Sequence, residues 1–244
     1  MRAELAVYFI AGTQDIVRGT LPSVLEEALK AGITCFQYRE KGAGSLQTAS
    51  ERKEMALKCQ QLCAKYQVPF IINDDVALAL EIGADGIHVG QNDEEIRQVI
   101  ASCAGKMKIG LSVHSVSEAA EAELLGAVDY IGVGPIFPTI SKADAEPVSG
   151  TAILEEIRRA GITIPIVGIG GINETNLAEV LTAGADGVSV ISAITQSDDC
   201  HSVIKQLKNP RLSLLKRQTW VSHFYKSSPL VAITFLYQSK LFFL

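Results

Sequence analysis

Gln37, Arg39 and Lys41 alternate along one short run of the chain, Gln37-Tyr38-Arg39-Glu40-Lys41. In an extended strand that alternation sends these three to one side and Tyr38 and Glu40 to the other. Read alone, the run is also what a solvated strand end looks like. On an acidic chain, an inward cationic pair instead suits a compact anion such as diphosphate, which Arg grips as a fork and Lys as a point charge. Asn73-Asp74-Asp75 and Asn92-Asp93 add carboxylates. A helix N-cap role would account for Asp75 or Asn92. Asp74 and Asp93, beside the cations, make an oxygen-ligated site that Mg2+ would complete with waters and phosphate oxygens. An acid/base dyad with one raised pKa would need burial without a metal, and the nearby cations argue against it.

In Ser112-Val113-His114-Ser115, Ser112 is a hydrogen-bond donor to a ligand, and His114 is either a general base or a structural residue ahead of a capping serine. The stretch from Gly134 to Ser149 carries Thr139, Ser141 and Lys142 between Gly and Pro hinges. A loop of that length in a compact domain is usually functional, and this one could close over an anion; a solvated insertion is the alternative. Gly168-Ile169-Gly170-Gly171-Ile172-Asn173 and Ile191-Ser192-Ala193 offer backbone N–H groups and helix starts to a monophosphate. Two anion sites result, one with cations, metal and diphosphate character and one made of backbone donors.

The elements that must hold these residues are short apolar runs: Val7–Ile10, Ile33–Tyr38, Val68–Ile72, Gly86–Val89, Lys108–Leu111, Tyr130–Val133, Ile164–Gly168 and Gly187–Ile191. Each reads as a strand buried on both faces, as parallel strands under helices must be. Segments with apolar residues at helical spacing lie between them: Leu21–Ala31, Glu51–Tyr66, Glu94–Ala104, Ser117–Leu125 and Asn176–Ala183. Pro22 suits a first turn, Ser115-x-x-Glu118 is a capping box, and Asn173 can cap the seventh helix. Gly32, Gly83, Gly126, Gly161 and Gly184 stand where helices would stop. A weak repeat, EIGADGIHVG, LLGAVDYIGVG and TAGADGVSVIS, shows one βα unit being reused. Eight units before residue 210 with no linker predict an α/β protein, a closed (β/α)8 TIM barrel rather than an open doubly wound sheet.

The chain has 244 residues and a net charge of −5, which excludes a general attraction to nucleic acid and points to a small-molecule partner. The charge is uneven. Residues 201–244 hold seven Lys/Arg, no Asp or Glu, the only tryptophan and seven of the fifteen aromatics, so residues 1–200 carry −12. Five cysteines without a CxxC pair, and an N-terminus too short in apolar run for a secretory signal, suit a reduced cytoplasmic setting. The longest apolar run near the C-terminus, Leu230 to Tyr237, is too short to span a bilayer as a helix. A homo-oligomer is compatible with all of this.

With these residues in place the chain resembles the thiamine phosphate synthase family. FQYREK (36–41), INDD (72–75), ADGIHVGQND (84–93), GLSVHS (110–115), GPIFPT with Ser141-Lys142, IPIVGIGGI (164–172) and ADGVSVISAI (185–194) carry the likeness over about residues 5–207. The resemblance implies an enzyme that joins a pyrimidine methyl diphosphate to a thiazole monophosphate, releasing diphosphate, by a dissociative route needing no nucleophilic side chain. It implies that Gln37, Arg39, Lys41, Asn73 and Lys142 hold the pyrimidine diphosphate, that Ser112 lies against the pyrimidine, and that Asp74 and Asp93 carry Mg2+. Thr139, Ser141, Gly171, Ile191 and Ser192 would hold the thiazole phosphate, with Tyr38, Glu40 and Ile140 counted in the substrate-binding segments. Arg39, Lys41, Lys142 and Ser112 would be the catalytic set. The loop motif commonly reads Thr-x-Thr-Lys, and Ser141 keeps the hydroxyl while losing a methyl. Residues 1–209 are expected to be the catalytic barrel, and 210–244 an added basic, aromatic segment that matches no part of the family. A thiazole phosphate tautomerase using His114 and no metal, or a non-catalytic precursor-binding scaffold, are the alternatives.

Overall fold

The computed structural model describes residues 1–91, 93–139 and 147–209, and the side chains of 93–95 also lie outside that description. The segment expected at 210–244 therefore falls outside the described residues. Eight parallel strands close into a barrel in chain order. They are β1 (Val7–Ala11), β2 (Cys35–Tyr38), β3 (Phe70–Asn73), β4 (Gly86–Val89), β5 (Lys108–Val113), β6 (Tyr130–Val133), β7 (Ile166–Ile169) and β8 (Gly187–Val190). The ring closes because β1 pairs on both edges, with Tyr8 opposite Cys35 on β2 and opposite Ser189 on β8. β3 and β7 start later than Val68 and Ile164 suggest. Pro69 and Pro165 stand just ahead of them, and proline has no N–H for the ladder.

The helices are α1 (Leu21–Ala31), α2 (Ala49–Tyr66), α3 (Val76–Ile82), α4 (Asp93–Cys103), α5 (Val116–Leu124), α6 (Ala152–Arg159), α7 (Leu177–Thr182), α8 (Ser192–Thr195) and α9 (Cys200–Lys208). Pro22 sits in the first turn of α1, as expected, and Thr20 caps that helix. Two cap expectations need correction. Ser115 Oγ accepts from Glu118 N, but the Glu118 carboxylate takes the N–H of His114, not that of Ser115, so only half of the capping box forms. Asn173 does not cap α7: its Oδ1 accepts from Thr175 N and Oγ1, and an extra turn leaves Asn176 at the cap position.

Strand alternation separates two cores. Phe9, Phe36, Phe70, Ile87, Ile131 and Val188 point outward under the helices, while Tyr8, Ile10, Cys35, Ile71, Tyr130 and Val167 point into the barrel. A 3-10 turn, Arg2–Leu5, seats Leu5 at the N-terminal end of that interior, tied by Glu4 to Lys108 at 2.7 Å. All five cysteines are free thiols. No helix among the described residues is long and apolar enough to cross a membrane.

The sequence repeat has a structural cause at this end of the barrel. Asp85, Asp129 and Asp186 each precede an even-numbered strand. Each carboxylate accepts an N–H at the start of the preceding strand, from Phe70, Ile109 and Ile166 respectively, at 2.8 Å in all three cases. Their own N–H groups donate back to the carbonyls of the same residues. Thr34 does the same for β1, with its hydroxyl accepting from Val7 N at 2.8 Å. A buried N–H at a strand's start needs an acceptor of its own, so the device answers a fixed backbone need. Asp129→Ala is expected to cost roughly 1–3 kcal/mol, read as a lowered urea midpoint with an unchanged slope; an unchanged midpoint would show that water satisfies Ile109 equally well.

Candidate active site

A cavity of about 190 Å3 opens at the C-terminal ends of the strands. Arg39 and Lys41 follow β2, Asn73 ends β3 and Asp74 follows it, His88 lies on β4, Ser112 lies on β5, and Thr139, Gly171, Ile191 and Ser192 come after β6, β7 and β8. This is the face of a barrel where loops of different strands converge and chemistry is found. Nine of the expected site residues thus meet in one cavity, although they come from segments scattered between positions 39 and 192.

The cationic wall is built by local geometry. Arg39 is 5% exposed. Its backbone N–H donates to Ala11 O, and its carbonyl accepts from Gln14 Nε2, so the loop after β1 fixes the residue from below. Asp15, in the same loop, has its carboxyl raised by burial, against the lowering effects of the Gly12 N–H and the Arg39 charge. Lys41 Nζ lies 3.2 Å from Asp74 Oδ2, with both side chains about half exposed. Asp74 sits at φ +61°, a left-handed conformation uncommon outside glycine. Such a turn lets Asp75 step aside and cap α3 by accepting from Leu78 N, which leaves Asp74 lining the cavity. The neighbouring carboxylates therefore divide into a cap and a cavity-lining residue.

Three expected residues stand elsewhere, two of them because of alternation and one because of depth. Tyr38 points outward into the core under α2 and donates from its hydroxyl to Arg52 O at 3.2 Å. Glu40 accepts from Thr13 N, Thr13 Oγ1 and Leu46 N, holding the loops after β1 and β2 together away from the cavity lining. Gln37 does point inward but lies a layer deeper, 2% exposed, where its Nε2 donates to the Tyr8 hydroxyl at 2.8 Å. Ile140, Ser141, Lys142 and the Asp93 side chain lie outside the described residues.

The opposite wall is backbone. Gly171 has φ +62°, and a Cβ there would stand 2.5 Å from Pro138 O and 2.8 Å from Phe137 Cβ. Only glycine lets the loop after β7 lie this close to the loop after β6, where Phe137 N also donates to Gly170 O. Directly after β8 stands the four-residue α8, beginning at Ser192. The donors on this wall are therefore mainly loop N–H groups rather than the end of a long helix.

Two residues missed by the residue-by-residue reading also line the cavity: His88 and Ser189, 9% and 2% exposed. Ser189 Oγ is buried without a hydrogen-bond partner among the described residues. The repeat held the signal. When ADGIHVG, VDYIGVG and ADGVSVI are aligned, His88, Gly132 and Ser189 occupy the same position, and all three line the cavity. His114 also lines it, its Nδ1 2.8 Å from Gly134 O. Among the described residues no group of three His, Cys, Asp or Glu side chains is placed to hold a metal ion. The half-exposed Asp74 carboxylate at the cavity nevertheless fits Mg2+, which takes one or two protein carboxylates and fills its remaining positions with water and phosphate oxygens.

Residues 7–194 match the family model described as thiamine monophosphate synthase. A thiamine-phosphate synthase of Listeria monocytogenes serotype 4b is 96% identical over 210 residues, covering 86% of this chain and 98% of that protein. One of Bacillus velezensis is 52% identical over 199 residues, covering 82% and 87%. Among solved structures, a thiamine phosphate pyrophosphorylase of Pyrococcus furiosus superposes with a TM-score of 0.75 at 35% identity, covering 86% of this chain and 96% of that one.

Proposed function

The chain belongs to the thiamine monophosphate synthase family and makes thiamine phosphate, and we propose that it does so in this cavity by joining a pyrimidine methyl diphosphate to a thiazole monophosphate. It is a transferase of thiamine biosynthesis that acts on small phosphorylated molecules. One observation carries the assignment of the site: the Arg39 and Lys41 wall and the Gly170-Gly171 and Ile191-Ser192 wall face one cavity. Two phosphorylated groups of different kinds can therefore be held with their carbon and nitrogen partners between them.

The bond that breaks joins the pyrimidine methylene to the diphosphate oxygen, and its electron pair leaves with the diphosphate. Arg39 and Lys41, with Lys142 from the loop after β6, stabilise that growing charge. The aminopyrimidine ring carries the methylene cation by resonance, and Asn73 and Ser112 orient the ring. The thiazole nitrogen then donates its lone pair to the methylene carbon and forms the new C–N bond. No proton moves, so no general base is required. Thr139, Ser141 and the N–H groups around Gly171, Ile191 and Ser192 hold the thiazole phosphate, so that capture occurs within one complex. Asp74 and Asp93 would hold Mg2+, which when bound neutralises charge on the diphosphate. We assign catalysis to residues 1–209, since the barrel is complete by the end of α9, and place the reaction in the reducing cytoplasm, a setting that the five free thiols support.

The test is incubation of the full chain with both substrates, titrating Mg2+ and measuring thiamine phosphate and diphosphate. The expected result is stoichiometric formation of both, abolished by chelator and by Asp93→Ala, retained by His114→Ala, and unchanged in a chain ended at Asn209. Isomerisation of a thiazole phosphate without diphosphate release, indifferent to Asp93→Ala and lost in His114→Ala, would favour the tautomerase. Tight substrate binding without turnover would favour a scaffold.

A further inference from the structure

Buried polar side chains form one line of hydrogen bonds through the barrel interior to the cavity. Gln37 Nε2 donates to Tyr8 Oη at 2.8 Å, and Tyr8 Oη lies 2.8 Å from Tyr130 Oη. Tyr130 Oη lies 3.1 Å from His88 Nδ1, and His88 Nε2 lies 3.0 Å from Ser112 Oγ. Both tyrosines are buried, and burial raises their phenols far above the ordinary value, so each keeps its one proton.

The chemistry of the members orients the line. The amide NH2 of Gln37 can only donate, so Tyr8 accepts there and has its own proton left for Tyr130. Tyr130, having accepted, has one proton left for His88 Nδ1. The reverse order would leave the Tyr8 proton only the Cys35 thiol, a weak acceptor, in place of the Tyr130 oxygen. We propose that Tyr130 is a positioning residue for the synthase reaction: its proton holds His88 as the Nε2–H tautomer, His88 donates to Ser112, and the Ser112 proton is thereby kept for the substrate. Ser112 is also fixed through its carbonyl, which accepts from Gln91 Nε2 at 2.8 Å. A hydroxyl so arranged is a committed donor to an acceptor in the cavity, such as a pyrimidine ring nitrogen. That last step rests on the reading of the cavity given above; the tautomer does not.

The experiment is a long-range 1H–15N spectrum of full-length, 15N-histidine-labelled protein without substrate, with His88 assigned by its loss in His88→Gln. The expected pattern is a bare Nδ1 and a protonated Nε2. A proton mainly on Nδ1, or on both nitrogens, overturns the proposal. In Tyr130→Phe the single tautomer should give way to a mixture, and kcat/KM for thiamine phosphate formation should fall about threefold to tenfold, the value of one hydrogen bond. An unchanged tautomer in a folded Tyr130→Phe protein overturns it as well. If that variant does not fold, the wild-type spectrum still decides. A correct tautomer in a protein that makes no thiamine phosphate would instead count against the assigned activity.

Discussion

Replacing Arg39 by alanine is expected to lower kcat for thiamine phosphate formation by about 10^2- to 10^3-fold, the usual loss when one fixed stabiliser of developing charge is removed. Among the described residues Arg39 is the most buried cation of the cavity, at 5% exposed. It therefore acts where water screens it least. Diphosphate carries more charge after the C–O bond breaks than before, so the interaction strengthens along the reaction, and kcat should fall more than KM rises. Arg39→Lys should recover only part of the loss, because the forked contact is gone. The variant should remain folded, since the backbone bonds of residue 39 to Ala11 and Gln14 do not involve the side chain. Steady-state diphosphate release checks this, with circular dichroism as the folding control. A folded Arg39→Ala protein within tenfold of wild type would move the diphosphate elsewhere.

The second large effect is on stability and comes from a residue with no side chain. A Cβ on Gly110 would stand 2.2 Å from Tyr130 Cζ, 2.4 Å from Tyr130 Oη and 2.5 Å from His88 Nδ1. The neighbours are two rings already hydrogen-bonded to each other inside a closed barrel, so neither has room to turn aside. Gly110→Ala is expected to destabilise the protein by roughly 3 kcal/mol or more, at the upper end of overpacking costs. Turnover should fall with it, because the displaced pair is the one that orients Ser112. Gly90→Ala, where a Cβ would meet nothing within 4 Å, is the control and should leave the urea midpoint nearly unchanged. Equal midpoints for the two variants would mean that the interior relaxes freely around position 110.

Much of this was legible before the fold was seen, for identifiable reasons. Parallel strands under helices must be apolar on both faces, so the runs from Val7 to Ile191 declared themselves. Period-two alternation placed Arg39 and Lys41 together and set Tyr38 and Glu40 apart. That rule proved a better guide to those two residues than the motif that gathered all five into one substrate-binding segment. What the alternation could not give was depth. Gln37 shares the inward phase of Arg39 and Lys41, yet lies one layer below them, held by Tyr8 from the neighbouring strand.

The sequence by itself determined the barrel, the strand phases and the set of residues near the strand ends, because each depends on local periodicity or on chain order. The uneven charge belongs here too: residues 1–200 carry −12, and Arg39 and Lys41 are among the few basic groups gathered at the cavity. Only the tertiary structure decided which of these residues touch. That Lys41 meets Asp74, that Asp85, Asp129 and Asp186 each serve the strand before them, and that Gln37, Tyr8, Tyr130, His88 and Ser112 share one line of hydrogen bonds are all relations across strands. Register around a closed ring sets such relations, and register is fixed by packing the whole interior at once, a quantity that no local stretch of sequence contains.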